Sequence, residues 1–321
     1  MPFLTKLFNS AKAPILAIFV SFLICAIFLK VLGESPHVLF EAFYNTLFTP
    51  FGLGYTLFYA TPLIFVGLSV AFCYHAGLFN IGAEGQLYIG SLGVVASLSL
   101  VSNFPFYLGI IFILLSCILF SGLWGGIAGV LKAKRGSHEV IVTVLLNFIA
   151  IAIVDYCILY VFKNPLGQNP ETFVIPEKYF LPGLSSVFDK TPLNVSFIGA
   201  VALCFFFYFY IYYTTRGYQL RAVGQNIKAS QYAGIAVDKT IILATCVSGA
   251  LAGLVGINEV LGHQHKLVQG FSPQYGFTGI AVALLARNHP IGILFSAFLF
   301  GALHNSSREI EFLSETVTKE I

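Results

Sequence analysis

The stretch "GLFNIGAEGQLYIG", residues 77–90, lies between strongly apolar runs and carries Asn80, Glu84 and Gln86 together with glycines at 77, 82, 85 and 90. Its surroundings set the fold class. Of 321 residues 57% are hydrophobic and 10% charged, with a mean hydropathy of +0.86, against roughly 25% charged residues in an ordinary soluble domain. A hydrocarbon core about 30 Å thick needs about 20 apolar helical residues per crossing, and such runs follow one another here. Period-two alternation is absent, so the chain reads as an all-α, polytopic transmembrane bundle with broken or re-entrant helices. Nine spans are expected, at residues 14–32, 53–74, 79–101, 105–131, 139–162, 194–214, 240–261, 272–286 and 289–304.

Within that frame the quoted stretch is out of place. A carboxylate or amide at membrane depth is costly unless it is paired or faces water, so Glu84 needs a reason. Each glycine weakens a helix by about 1 kcal/mol relative to alanine, which predicts a break near Ile81 and Gly82. One reading is that the break lines a cavity and frees backbone groups as ligand contacts. The other is that Gly77, Gly82 and Gly85 let helices approach closely, with Glu84 hydrogen-bonded inside the bundle. A second interrupted patch, "QGFSPQYGFTGIAVALLARNHP" (269–290), favours the first, because paired broken segments point to a midplane site between related halves.

Other features are read more simply. "SPHVLFEAFYNTLF" (35–48) is too short to span and offers Val38, Leu39, Ala42, Phe43, Thr46 and Leu47 as one apolar face, an expected interfacial helix. Lysines and arginines at 132, 134, 135, 216, 221, 228, 239 and 287 fall in alternate loops, whereas Glu34, Glu41, Glu171, Glu177 and Asp189 fall in the others. Basic loops stay in the cytoplasm, which places the N-terminus inside and the proline-rich segment 163–192 outside. The N-terminus, with Lys6 and Lys12, reads as an uncleaved first span. Six scattered cysteines read as small hydrophobes. His263 and His265 flank Gln264 with no third donor nearby, His138 and Glu139 begin a span, and Asp155, Glu259, Asn147, Asn258 and Asn305 read as buried hydrogen-bond partners or pathway groups.

No nucleophile–base motif and no phosphate-binding G-x-x-x-x-G-K-[ST] is present, so no catalytic residue, metal or cofactor is expected, and energy must come from an ion gradient or another polypeptide. The longest basic loop, 216–240, has two short predicted helices with apolar surface at Leu220, Ala222, Val223, Ala229, Tyr232 and Ala233. It reads as a docking element, or as a helix pair on lipid headgroups.

Three strings, "GLFNIGAEGQLYIG" (77–90), "LRAVGQNIKASQYAGI" (220–235) and "GFTGIAVALLARNHPIGI" (276–293), together resemble the permease subunits of bacterial ABC importers in the branched-chain amino acid, ribose and nucleoside family, in matching order over residues 50–304. The form "NIGAEGQ" resembles the nucleoside-uptake branch. The resemblance implies one permease domain over residues 1–321, in the bacterial cytoplasmic membrane. It also implies cytoplasmic ATPase subunits, a second related permease, an external substrate-binding lipoprotein and a small-molecule substrate, with lipid but no nucleic acid as surroundings. On matching positions it implies Asn80, Gly82, Glu84, Gly85 and Gln86 as pathway or gate residues, and Arg221, Gly224, Asn226, Ala229 and Gly234 as coupling residues. Ten spans are usual in the family, one more than this sequence supplies before Ile321. A proton-driven carrier using Glu84, a sugar or amino acid importer, and a non-transporting anchor subunit are the rival readings.

Overall fold

In lipid every backbone N–H and C=O must be satisfied within the protein, and this chain meets that demand almost entirely with helices. The computed structural model describes residues 16, 20–31, 33–101, 104–165, 167–184, 188 and 190–314. In chain order the helices are α1 (Val20–Val31), α2 (His37–Phe48), α3 (Pro50–His75), α4 (Ala83–Val101), α5 (Phe106–Arg135), α6 (Glu139–Tyr156), α7 (Ser196–Tyr213), α8 (Thr215–Gln225), α9 (Ile227–Tyr232), α10 (Val237–Gly253), α11 (Tyr275–Leu285) and α12 (Pro290–Leu313). Helix α6 continues through a π turn at Cys157–Val161, and α10 runs on to another at Ile257–Leu261.

Six of the nine expected spans are long and apolar enough to cross a bilayer: α3, α4, α5, α6, α7 and α10 with their extensions. The other three differ. Only residues 20–31 of the first are described as continuous helix. The eighth, α11, has 11 residues and reaches about 16 Å, half of the hydrocarbon thickness. The ninth, α12, is 24 residues long, but its second half is polar.

Helices α3 and α4 have 89% and 83% of their apolar stretch buried, whereas α5, α6 and α7 have 28%, 28% and 22%. The first two are therefore the centre of the bundle, enclosed on every side with no single apolar face, and the others turn leucine, isoleucine and phenylalanine outward. Helix α5 packs most closely on α10 through small residues: a Cβ on Gly249 would lie 3.1 Å from Gly125 Cα and against the Ser121 carbonyl. Without a hydrophobic drive between helices in lipid, such backbone approach is what gains dispersion contact.

The basic loops gather at one end of the bundle. His75 hydrogen-bonds to the Asn288 carbonyl at 3.1 Å, and Lys132 pairs with Glu139 at 2.7 Å across the α5–α6 turn. Segment 163–192 covers the far end. It is more ordered than a connector: Tyr179 is fully buried and donates to the Val101 carbonyl at 2.6 Å, Thr172 N donates to the Leu267 carbonyl at 2.9 Å, and Glu171 pairs with Lys266 at 2.7 Å. That ammonium holds the Glu171 carboxyl below its ordinary range.

The expected interfacial helix is corrected by the structure. Helix α2 forms with the predicted face inward, but Leu39, Ala42 and Thr46 are buried against α3 and α12, with Ser306 donating to Thr46 at 3.2 Å. Its amphipathicity serves a protein contact. Residues 315–321 and the N-terminal lysines lie outside the described residues.

The α5–α10 seam generates a test. Gly249→Leu, which meets backbone on the facing helix, should cost about 1–3 kcal/mol by overpacking and lower the thermal unfolding temperature in detergent. Leu119→Ala, at a site 58% exposed on α5, should leave it nearly unchanged.

Candidate functional site

The predicted break is present. Helix α3 stops at His75 and α4 starts at Ala83, with no helix between. Gly77 sits at φ +73°, where an L side chain is strained. Its Cβ position lies 3.0 Å from Gly224 Cα, and a Cβ on Gly224 would lie 2.8 Å from Gly77 N. The break and α8 thus touch backbone to backbone.

From Gly77 the chain climbs into the bundle. Asn80 donates to Gln86 Oε1 at 2.8 Å and to Ser248 Oγ at 2.7 Å, and its own oxygen accepts from Gly82 N at 3.0 Å and Gln86 Nε2 at 3.2 Å. Ser248 in turn donates to the Ser69 carbonyl at 2.7 Å. One closed amide network therefore joins α3, the break, α4 and α10.

The first turn of a helix leaves four N–H groups without partners, and here two such turns lie inside the protein. In α4, Gly85 N donates to Asn147 Oδ1 at 2.8 Å, while Asn147 Nδ2 donates to the Ile81 carbonyl at 2.9 Å. In α11, Gly276 N donates to Glu84 Oε2 at 2.6 Å, and Ser272 hydrogen-bonds to the same carboxylate. Each buried helix start is capped by a side chain from another helix. Glu84 thus sets a carboxyl oxygen as acceptor at the positive end of α11, and that helix, 11 residues and about 16 Å long, is only about half of a crossing. A second buried carboxylate, Glu259, accepts from Asn258 at 3.1 Å and is hydrogen-bonded to Tyr275.

Asn80, Gly82, Glu84, Gly85 and Gln86 are thus brought together, all buried, and their polar groups are engaged by protein. Beneath them a cavity of about 510 Å³ opens at the basic end, lined by Tyr74, His75, Leu78, Phe79, Glu139 and Arg221 among others. A void of about 10 Å³, sharing Leu78, Phe79 and Glu139, continues inward to Asn80, Gln86, Thr143 and Thr245. It has room for about one water, so the Asn80–Gln86 pair stands at the closed inner end of the cavity.

Of the predicted coupling residues, Arg221 and Gly224 are half-buried along this cavity, whereas Asn226, Ala229 and Gly234 are exposed. Asn226 caps α9 by accepting from Ala229 N at 3.0 Å, Gly234 turns the chain at φ +78°, and Tyr232 is 95% exposed. Elsewhere, His265 stacks on Phe180 at 3.5 Å, and Glu139 pairs with Lys132 while the His138 side chain makes no cap bond. Asn258 accepts from Ser196 at 2.7 Å, Asn305 donates to the Gly52 carbonyl at 2.9 Å, and one buried oxygen of Asp155 has no partner. Among the described residues no cluster of three or more metal-ligating side chains occurs. Sequence reasoning left Asn147 open between buried hydrogen-bond partner and pathway group, and the structure makes it a partner of Gly85 and Ile81; Ser248 it missed altogether, for want of any signal.

The sequence model of the family described as the permease component of the branched-chain amino acid transport system matches residues 52–316. The chain belongs to this permease family. It is 37% identical over 304 residues, 94% of this chain and 86% of the relative, to a guanosine ABC transporter permease protein of Bacillus subtilis. It is 36% identical, over 92% and 83%, to a nucleoside ABC transporter permease protein of Lactococcus lactis, and 32% identical, over 93% and 81%, to a glucose ABC transporter permease protein of Haloferax volcanii. No solved structure matches. The protein is therefore a multi-pass permease subunit of an ABC importer, a transport component and not an enzyme, which works with ATPase and substrate-binding subunits. An ion-driven carrier is set aside by this membership.

The cap from α6 can be checked directly. Asn147→Ala orphans the buried Gly85 N–H, worth about 1–3 kcal/mol, and removes the donor to the part-buried Ile81 carbonyl; it should lower the unfolding temperature of the purified permease far more than Ile149→Ala, at a half-exposed neighbouring site.

Proposed function

We propose that this permease carries nucleosides into a bacterial cell, paired with a second related permease and supplied by an external substrate-binding lipoprotein. The nucleoside assignment draws on the guanosine and nucleoside permeases among its relatives and on the string "NIGAEGQ". The concentration of lysine and arginine at one end supports a cytoplasmic basic end, with 163–192 outside and the N-terminus inside. Loop 216–240 is then the coupling element, and α8–α9 seats in the ATPase with Tyr232 as its exposed anchor.

One observation carries the mechanism: the backbone contact between Gly224 and Gly77. Closure of the ATPase dimer displaces α8, and with no side chain between them the displacement passes into the break without slack. The break carries Asn80, whose bonds to Gln86 and Ser248 close the inner cavity end. Glu84, one turn on, holds the start of α11, so α11 follows α4. Asn80 and Gln86 act as a gate, and Gly82, Glu84 and Gly85 as its hinge and linkage. The free energy comes from ATP in the partner subunit.

The complete importer, reconstituted in liposomes, tests this. Gly224→Leu should reduce ATP-coupled guanosine uptake at least tenfold, the effect of about 1.4 kcal/mol on the rate-limiting step, while the complex still assembles; wild-type uptake would refute the lever. Tyr232→Ala should weaken ATPase association about 30-fold, the loss of about 2 kcal/mol typical of an aromatic anchor, read by co-purification and titration. Because a relative transports glucose, a sugar is the second reading, and competition of labelled guanosine uptake by glucose distinguishes the two.

A further inference from the structure

Helix α11 is tied at both ends to residues that flank the break between α3 and α4. At its start Gly276 N donates to Glu84 Oε2 at 2.6 Å, and the Tyr275 side chain is hydrogen-bonded to Glu259 in the π turn that ends α10. At its far end the turn into α12 sits on His75, the last residue of α3, through the 3.1 Å bond to the Asn288 carbonyl. A carbonyl only accepts, so His75 Nε2 carries the proton. Residues 75–84, these two end bonds and α11 therefore form a closed ring. Between its ends α11 lies along α3: a Cβ on Gly279 would press into Val66, and one on Gly67 would lie 3.2 Å from Val282.

The turn at the far end is unusual. Arg287 and Asn288 both have positive φ, +51° and +55°, where residues other than glycine are uncommon and occur singly. Asn288 is buried and its side-chain oxygen has no partner. Its backbone is firmly held: Asn288 N donates to the Ala283 carbonyl at 2.8 Å, and Ser296 of α12 donates to the Val282 carbonyl at 2.8 Å. A strained turn persists only where its surroundings over-determine it, and such turns cluster at switching elements, where a few element-terminal residues absorb a change of φ and ψ.

We propose that the His75–Asn288 contact is the pivot of α11. When the break moves, Glu84 carries the start of the helix with it, His75 keeps the other end on α3, and α11 swings about the Arg287–Asn288 turn. The inference deepens the lever described above and rests on it for the source of the motion, but not on which solute is carried. The ring gives the reason. His75 stands on the α3 side of the break and Glu84 on the α4 side, so relative movement of the two sides becomes a tilt of the helix that joins them. Over a helix of 11 residues, about 16 Å, a tilt of about 15° moves the start by about 4 Å. His75 is a positioning residue, acting through α11.

Spin-label distances in the assembled, liposome-reconstituted importer test this. In a background freed of the six cysteines, Leu123→Cys on α5 is paired with Phe277→Cys at the start of α11 or with Leu285→Cys at its end, all exposed sites. Trapping the ATPase with a non-hydrolysable ATP analogue should change the Phe277 distance by about 4 Å and the Leu285 distance by less than about 1 Å. Equal changes at both ends overturn the pivot and leave the lever standing; no change at either overturns both. Neither readout needs a solute, so the nucleoside reading stands or falls separately. His75→Leu, which removes the donor, should let the Leu285 end move as well and lower solute uptake per ATP hydrolysed by about fivefold or more, the factor that loss of one ordinary hydrogen bond gives. His75→Gln, which can still donate, should restore both. A His75→Leu importer with wild-type distances and wild-type coupling overturns the proposal and leaves the bond a purely structural one. The two distances with His75 in place decide the pivot even if His75→Leu fails to assemble.

Discussion

The structure depends on satisfying two helix starts that lie where water cannot reach them. Helices α4 and α11 begin inside the bundle, and orphan N–H groups there would each carry a full desolvation cost. Asn147 from α6 caps one, and Glu84 from α4 caps the other. Because the cap of α11 is itself part of α4, the two half-crossings are tied into one unit. Glu84 is buried where its oxygen meets the Gly276 N–H at the positive end of α11.

The lever proposed above passes through that unit. A close-packed bundle shifts between discrete arrangements and does not deform smoothly, so a signal needs a contact that cannot be absorbed by side-chain rotation. Gly77 against Gly224 is such a contact. The amide network of Asn80, Gln86 and Ser248 lies three residues beyond it, and the Glu84 link to α11 follows. An exposed hairpin at the basic end, a glycine contact at its root and a capped half-helix above form a continuous chain from that end to the interior of the bundle.

The two original readings of the glycine-rich stretch turn out to be compatible. Gly82 and Gly85 do permit close approach, with Cβ positions 3.0 Å from Thr143 Cβ and 2.8 Å from Asn147 Cα. The break they allow nonetheless borders a cavity open at the basic end. Compact packing and a nearby opening coexist because the amides close the cavity just below the packed region.

Sequence by itself determined the membrane class, the positions of six spans, the break near Gly82, the exposed hairpin around Gly224 and, through three strings in order, the family. These are local or compositional signals: apolar run length, glycine weakening of a helix, charge in alternate loops. Only the tertiary structure decided that α2 packs on protein, that α11 is about half of a crossing long, that Asn147 and Glu84 are caps, that Ser248 joins the amide network, and that the polar half of α12 stands beside Tyr55 and Tyr59. Each of these pairs residues tens to hundreds of positions apart, Glu84 with Gly276 and Ser69 with Ser248 among them, and in an apolar helix a capping amide or a network serine looks like any other polar residue until its partner is in place. The physical reason is that lipid leaves polar groups no alternative but one another, and which groups meet is fixed by helix packing.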